Sequence, residues 1–407
     1  MARPGSKQGP LPALGAALFF ALAGCSAPIL RGVPAGGRWS GPPGGRAENE
    51  DGPPLRVLLK LGSHGLRASA PGGLRLCAWN GAGLCEIPAD GKARLSVQEG
   101  RLFMNGARLD EASAVIQPLL PAEAVRVGGR RYRGRLLLEA LGNRLALVNV
   151  VGLEDYLRGV LPSEVESGGP AEALKAQAVA ARSFALAAMR DSSTKAWDLN
   201  NSSDSQVYGS REAETAATDT AVRSTRGEVL AWHGGVAHAY FHGNSGGYTA
   251  DEREVWGGEA SPDYLQGVPD PWSEHQRHST WTAAVPLPEA ESLLKQAGLW
   301  TGVLTAVLPT DRSASGRWAK IELVGGPGRT VTVSANAFRR AFGADRVRST
   351  RFDVRVKDES LVFDGQGWGH GVGMSQEGAF AMAKSGWDYR AILYFYYPGT
   401  YLARLRE

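Results

Sequence analysis

The feature that most limits how this chain can fold lies between Leu55 and about Val151. There, short apolar runs alternate with polar residues and break at Gly, Pro or Asn-Gly: "LRVLLKLG", "GLRLCAW", "ARLSVQEGRLFMNG" and "AVRVGGRRYRGRLLLEALGNRLALVNVV". A period of two places apolar side chains on one face of each strand, and regularly spaced turn signals cut the run into hairpins. The region reads as a β-rich layer without visible chemistry. His64 in "GSHGL" reads as a solvated turn residue.

The pattern changes at Leu153. "LEDYLRGVLPSEVESGGP" leads into "AEALKAQAVAARSFALAAMR", where Pro170 suits a first helical turn and Leu174, Ala178, Ala181, Ala185 and Met189 form one apolar stripe. The surrounding alanines imply close packing on nearly every side. A second helix is expected over "EAETAATDTAVRSTRG", with Arg223 and Arg226 in its last turn and Gly227 just past its end. Strand-like "EVLAW" and "VAHAYFH" follow, then the loop "GNSGGYTADEREVWGG". Residues 281–362 mix helical "PEAESLLKQAG" and "ANAFRRAFG" with strand-like "WAKIELVG" and "RTVTVS", and the chain closes with a helix over "EGAFAMAKSG" and with "RAILYFYYPGTYL". Helices and strands without a steady βαβ period predict an α+β fold. The expected form is a β-rich single large domain with a few packed helices, preceded by a signal peptide and a flexible tether.

At 407 residues the chain can bury a sizeable core, and 43% hydrophobic with 21% charged residues is ordinary for a folded protein. A formal charge of +4 leaves no nucleic-acid footprint. Arg3 and Lys7 precede the apolar "LPALGAALFFALAG" at Leu11–Gly24, which is too short to span a bilayer and reads as a signal peptide over residues 1–24. "LAGC" resembles the bacterial lipobox, whose cysteine becomes the lipidated first residue; here that residue is Cys25. Ser26 after it resembles the lipoproteins sorted to the outer membrane. The expected location is therefore the cell envelope, lipid-anchored at the periplasmic face of the outer membrane. The Gly- and Pro-rich residues 25–54 read as a tether, with an N-terminal β-rich region at 55–150 and a catalytic region at 151–407.

Once Cys25 is set aside, Cys77 and Cys85 remain, separated by "AWNGAGL". An exported setting and the Asn80-Gly81 turn dipeptide favour a disulfide across a short hairpin. Two buried free thiols are the alternative. A metal pair lacks CxxC spacing.

Three polar constellations carry candidate chemistry. The first is Glu164 in "LPSEVESGGP". A carboxylate beside apolar surface gains the raised pKa that a general acid needs, whereas the plain reading is charge complementarity at the start of a helix. In the second, "AHAYFHGNSGG", His238 and His242 stand four apart on an expected strand, hence on one face. That could open a metal site, but zinc needs a third ligand, and a satisfied strand histidine is the better reading of His238. The third is "GQGWGHGVGMSQEGA", with Trp368, His370 and Gln376 among strictly alternating glycines. This is neither G-x-G-x-x-G nor a P-loop. It suits a loop whose free backbone amides, indole and imidazole meet something flat and polar.

"LEDYLRGVLPSEVESGGPAEALKAQAVAARSFAL", "SQVYGSREAETAATDTAVRSTRGEVL", "FHGNSGGYTADEREVWGG" and "GQGWGHGVGMSQEGAFAMAKSG…ILYFYYPGTYL" together resemble, in order, the stage II sporulation protein D family. The resemblance runs from about residue 55 to 404. It implies a peptidoglycan lytic transglycosylase that cuts peptide-free glycan strands to 1,6-anhydro-N-acetylmuramic ends, with Glu164 matching the family's catalytic glutamate. This chain reads Val165-Glu166 where the family has Met-Pro, which makes Glu166 a rival carboxylate. The same resemblance implies that Tyr208, His242, Ser245, Gly246, Trp256, Trp368, His370 and Gln376 bind substrate. Some relatives hold zinc near this site through histidine and cysteine. Here His242 matches the histidine but the cysteines are missing, so the ligand set is incomplete and no cofactor is expected. The family also includes an amidase enhancer, which implies the alternative of a non-catalytic glycan-binding module that stimulates a cell-wall amidase. The expected partners are glycan strands, a cell-wall amidase and a membrane through the lipid anchor. A zinc hydrolase built on His238 and His242 is a third reading.

Overall fold

The structure is a computed structural model and describes residues 52–405, except 63–64, 79–82, 193–194 and 203–204. The signal peptide, Cys25, nearly all of the tether, His64 and Asn80-Gly81 lie outside the described residues.

The α+β class holds. The alternating N-terminal runs form two mostly antiparallel sheets of seven and six strands, which share one core built from residues such as Leu55, Leu66, Leu95, Val125 and Leu138. Burial alternates along Ala93–Gln98, where one face of the sheet meets water. It is continuous from Leu145 to Gly152, because that strand is covered on both sides.

The same strand runs straight into helix α1 (Leu153–Glu164), and the 21-residue helix α2 (Ala171–Asp191) packs against it. A bidentate ion pair, Arg182 Nη2 to Glu154 Oε2 at 2.7 Å and Nε to Oε1 at 2.8 Å, ties the two helices together with no solvent on the guanidinium. Alanine's small side chain lets α2 serve two cores at once. Leu174, Ala178, Ala181 and Ala185 face the sheets and α1, while Ala173, Ala176, Val179 and Ala180 face a second core with helices α7 (Gln376–Lys384) and α8 (Tyr389–Tyr396). The expected second helix is shorter than its pattern. A 3₁₀ turn at Arg211–Ala213 precedes α3 (Ala216–Ser224), because Thr215 caps the amide of Thr218 and starts the helix there. Arg223 is in its last turn, and Arg226 lies beyond it.

"VAHAYFH" is not one strand. Only Gly235–Val236 and Phe241–His242 pair, in different sheets, so His238 and His242 do not share a face. A five-residue helix, α4 (Glu252–Trp256), follows. The stretch from Trp281 to Phe363 builds a third core of its own around Trp300, Ile321, Phe338 and Phe363, with helices α5 (Leu287–Gln296) and α6 (Ala335–Phe342). Its first and last strands, Thr280–Pro286 and Ser360–Gln366, pair with each other from end to end.

The Cys77–Cys85 hairpin forms without a disulfide: both thiols are free. The regular register that begins at Leu74–Ile87 places Cys85 opposite Leu76, and a bulge after Leu76 carries Cys77 on to Gly83, so the two cysteines do not face each other. Cys77 is buried in the sheet, and the Cys85 Sγ lies 3.9 Å from the Met104 Sδ.

Candidate active site

A groove of about 1280 Å³ runs between the end of α1, the Phe241–Gly243 segment, α4, α6, the glycine loop and α7. That exceeds the roughly 300–1,000 Å³ of a pocket for one small ligand, and so suits a segment of a polymer. Glu164, Glu166, His242, Trp256, Trp368, His370 and Gln376 all line it.

Glu164 is the last residue of α1, not an acid at the start of a helix. Pro162 lacks the N–H that would continue the backbone ladder, and Val165 turns extended at φ −134°, so the helix stops with Glu164 at the groove. Burial pushes its carboxyl up from an ordinary 4.5 to about 7, partly offset by the amide of Val207, which donates to Oε1 at 2.5 Å. The negative end of the helix dipole acts in the same upward direction. Dipole complementarity therefore does not explain this residue. Glu166 also reaches the groove but is exposed.

Tyr208 does not line the groove. Its ring is buried against Tyr156, 4.9 Å between centroids, and its hydroxyl donates to Asn149 Oδ1 at 2.8 Å. Gly159 of α1 makes the room, since a Cβ there would sit 2.7 Å from the Tyr208 ring. Tyr208 is a positioning residue: it anchors the loop whose Val207 amide holds Glu164.

Ser245 and Gly246 are likewise internal. The Ser245 hydroxyl donates to Asp270 Oδ2 at 2.7 Å, and Asp270 also accepts from Ser273 at 2.5 Å and from Tyr396 at 3.0 Å. Desolvation raises the Asp270 carboxyl despite these bonds. Gly246 presses on the Gln366–Gly367 backbone, where a Cβ would find atoms at 3.0 Å.

The glycine loop exists for close packing, and the expectation of free amides is corrected. Trp368 N–H donates to Asn244 O at 2.8 Å, Gly367 N–H to Ser279 O at 3.0 Å and Gly369 N–H to Arg348 O at 2.9 Å. Phe241–His242 pairs in parallel with Met374–Ser375. At Gly371, φ is +91° and a Cβ would fall 2.4 Å from the Cζ of buried Arg317, whose Nη atoms donate to the carbonyls of Ser245 and Tyr248. Only glycine fits there.

What the loop offers the groove is side chains. Trp256 is 47% exposed, with its ring 4.7 Å from Tyr240 and 5.2 Å from His370. Trp368 carries the Arg348 guanidinium on one face at 5.0 Å and meets the edge of His278 at 4.5 Å. His278 Nδ1 lies 2.5 Å from Glu377 Oε1, whose other oxygen accepts from Asn244 at 2.7 Å. The two imidazoles, His242 and His370, clamp Val372: His242 Nδ1 donates to its carbonyl and His370 Nδ1 accepts from its amide. Burial first, then Arg339 and Arg317, pushes His370 down to about 3, and burial, then the neighbouring His370, pushes His242 well below the usual range. Both rings are neutral at physiological pH. His242 Nε2 is a buried acceptor with no partner among the described residues.

These donors do not fit zinc. With Nδ1 accepting, the proton of His370 is on Nε2, so of the two rings only His242 has a lone pair to give. Among the described residues no three His, Cys, Asp or Glu side chains gather as a ligand set. His238 stands elsewhere, with Nε2 2.9 Å from Asp191 Oδ2, as a satisfied histidine.

Tyr240, Phe241, Phe184 and Phe380, the apolar lining beside Glu164 and the loop, also line the groove without having been expected from the sequence, as do His278, Glu377 and Arg339. Glu377 sits inside the glycine stretch "GQGWGHGVGMSQEGA", and Arg339 is in the amphipathic "ANAFRRAFG". His278, in "EHQRHST", carried no signal.

The family profile described as Stage II sporulation protein matches residues 142–232, and a domain of unknown function matches residues 272–373. Stage II sporulation protein D of Bacillus amyloliquefaciens is 30% identical over 273 residues, 62% of this chain and 74% of that protein. Its namesake in Bacillus subtilis (strain 168) is 29% identical, over 63% of this chain and 76% of that protein. The amidase enhancer of Bacillus subtilis (strain 168) is 28% identical over 60% of this chain, and the match spans 40% of that longer protein. With Glu164 and the glycine seam in place, this chain belongs to the stage II sporulation protein D family.

Proposed function

We propose that the protein is a peptidoglycan lytic transglycosylase that cleaves peptide-free glycan strands, with Glu164 as its single acid–base group. The observation that carries this reading is a carboxyl held near pH 7 at the wall of a polymer-sized, aromatic-lined groove. An ordinary glycosidase divides the work between two carboxylates. Here the C6 hydroxyl of muramic acid is the nucleophile. Protonated Glu164 delivers its proton to the glycosidic oxygen as the C1–O bond breaks. The resulting carboxylate then takes the proton from the C6 hydroxyl as O6 bonds to C1, so the glutamate ends as it began and no water is consumed. A group that must give and then take a proton works best with a pKa near the ambient pH. Trp256 and Trp368 supply flat faces for sugar rings. The test is incubation with amidase-treated peptidoglycan and mass spectrometry of 1,6-anhydro ends, whose absence from the unmutated protein under all conditions refutes the reading.

The likeness to the amidase enhancer favours a second reading, in which the same groove binds glycan and stimulates a cell-wall amidase. Under it, amidase turnover rises on addition of the protein and Glu164→Gln leaves that rise intact. In either case we place the protein in the envelope on a lipid anchor at Cys25 facing the periplasm. Cys25→Ser is expected to release it from membranes, and sedimentation unchanged from the parent protein refutes the anchor.

A further inference from the structure

The groove is uneven in charge. Glu164 and Glu166 enter it from the end of α1, whereas α6 and the loop before Thr280 contribute Arg339, Arg340 and Arg277. Among the described residues none of these three arginines has a carboxylate within ion-pair distance. Arg339 is half-buried and its Nε donates to the Arg348 carbonyl at 3.0 Å, which leaves the rest of its fork to the groove. Desolvation, followed by the neighbouring Arg340, lowers it to about 10, so it remains charged at neutral pH. The remaining acid of the groove, Glu377, is spent on Asn244 and His278. A guanidinium partly withdrawn from water is normally paired; that of Arg339 instead faces the groove, with the exposed Arg340 and Arg277 beside it.

We propose that this basic wall is a subsite for a carboxylate carried by the glycan, with Arg339 as its anchor and Arg340 and Arg277 as its outer cations. The inference rests on the glycan-strand reading above, and it gives the segment matching a domain of unknown function, residues 272–373, the task of choosing strands by charge. The planar fork of arginine matches a carboxylate in geometry as well as charge. On peptidoglycan that carboxylate has two sources: the lactyl group of muramic acid once its peptide is gone, or the acidic groups of an attached stem peptide.

The experiment is a binding titration in the Glu164→Gln background, so that strands are not consumed. It compares three oligosaccharides of equal length: neutral N-acetylglucosamine oligomers, peptide-free muramic-containing strands and peptide-bearing strands. A carboxylate-bearing strand is expected to bind about tenfold tighter than the neutral oligomer, and Arg339→Gln is expected to remove most of that preference while leaving neutral binding unchanged. Arg340→Gln, at an exposed site on α6, and Arg277→Gln repeat the test without risk to the fold, and raised salt weakens the preference in the parent protein. Preference for the peptide-free strand alone assigns the lactyl source; preference for the peptide-bearing strand assigns the stem peptide. Equal affinity for neutral and charged strands, or an unchanged preference in all three arginine variants, overturns the subsite. Binding is read apart from turnover. A protein that prefers charged strands yet never produces anhydro ends keeps the subsite and loses the lyase, and the converse result does the reverse.

Discussion

Replacing Glu164 by Gln tests the mechanism twice, because the raised carboxyl is a statement about stability as well as catalysis. The amide keeps an oxygen for the Val207 N–H and nearly the same volume, but it cannot exchange a proton. Loss of acid–base help is expected to lower turnover by roughly 10²–10⁴-fold. For stability, the carboxyl moves from 4.5 to about 7 on folding, and each pH unit corresponds to about 1.4 kcal/mol. The folded value is the higher one. The native state therefore carries no penalty from this group below pH 4.5, loses stability as the pH climbs from 4.5 to 7, and bears the full penalty of about 3 kcal/mol above that. Glu164→Gln is then isoenergetic with the parent at pH 4 and more stable by up to about 3 kcal/mol at pH 8, as read from urea unfolding at both pH values. Glu166→Gln, at an exposed position, is expected to change neither readout by much. Equal stability of Glu164→Gln and parent at pH 8, together with full turnover, would refute the reasoning.

Gly371→Ala places a Cβ 2.4 Å from the Arg317 guanidinium at a φ of +91° and is expected to destabilise the fold by about 2–4 kcal/mol; an unchanged unfolding midpoint would contradict the packing account. Tyr208→Phe leaves Asn149 Oδ1 without its buried donor, at a cost of about 1–3 kcal/mol, with glycan affinity preserved. A large loss of affinity at full stability would return Tyr208 to the substrate-binding set. Alkylation under denaturing, non-reducing conditions is expected to label both Cys77 and Cys85, and protection of the pair would show that they bridge.

The sheets were legible because their period of two is enforced by a one-sided core, and α2 because its alanines serve two cores. Glu164 was legible only through a long motif. What raises its carboxyl is burial in a groove wall built from distant parts of the chain, and the Val207 amide that holds it and partly offsets the shift is also far away in the sequence. Spacing could not distinguish Tyr208, Ser245 and Gly246, which hold the site together, from Trp256 and His242, which face it. Motifs mark residues that cannot change, and a buried hydrogen bond forbids change as firmly as a ligand does. The alternating glycines misled for the same reason: bare backbone can serve another backbone as well as a substrate. The cysteine pair failed on the strand register, which sets Cys85 against Leu76 and which no spacing rule encodes.

The end-to-end pairing of Thr280–Pro286 with Ser360–Gln366 bears on the order in which the molecule assembles. The seam that joins Phe241–His242 to Met374–Ser375 closes a long loop, and most of that loop is the segment with its own core. If that segment folds first, its paired ends shorten the loop still to be closed, and the entropic cost of the seam falls by about 1 kcal/mol. Arg317 and Arg351 then reach out of the finished segment to the carbonyls of Ser245, Tyr248 and Gly246 and latch the seam shut. In that order the groove is completed last, and damage to the segment's remote core reaches Glu164's surroundings without touching a groove residue.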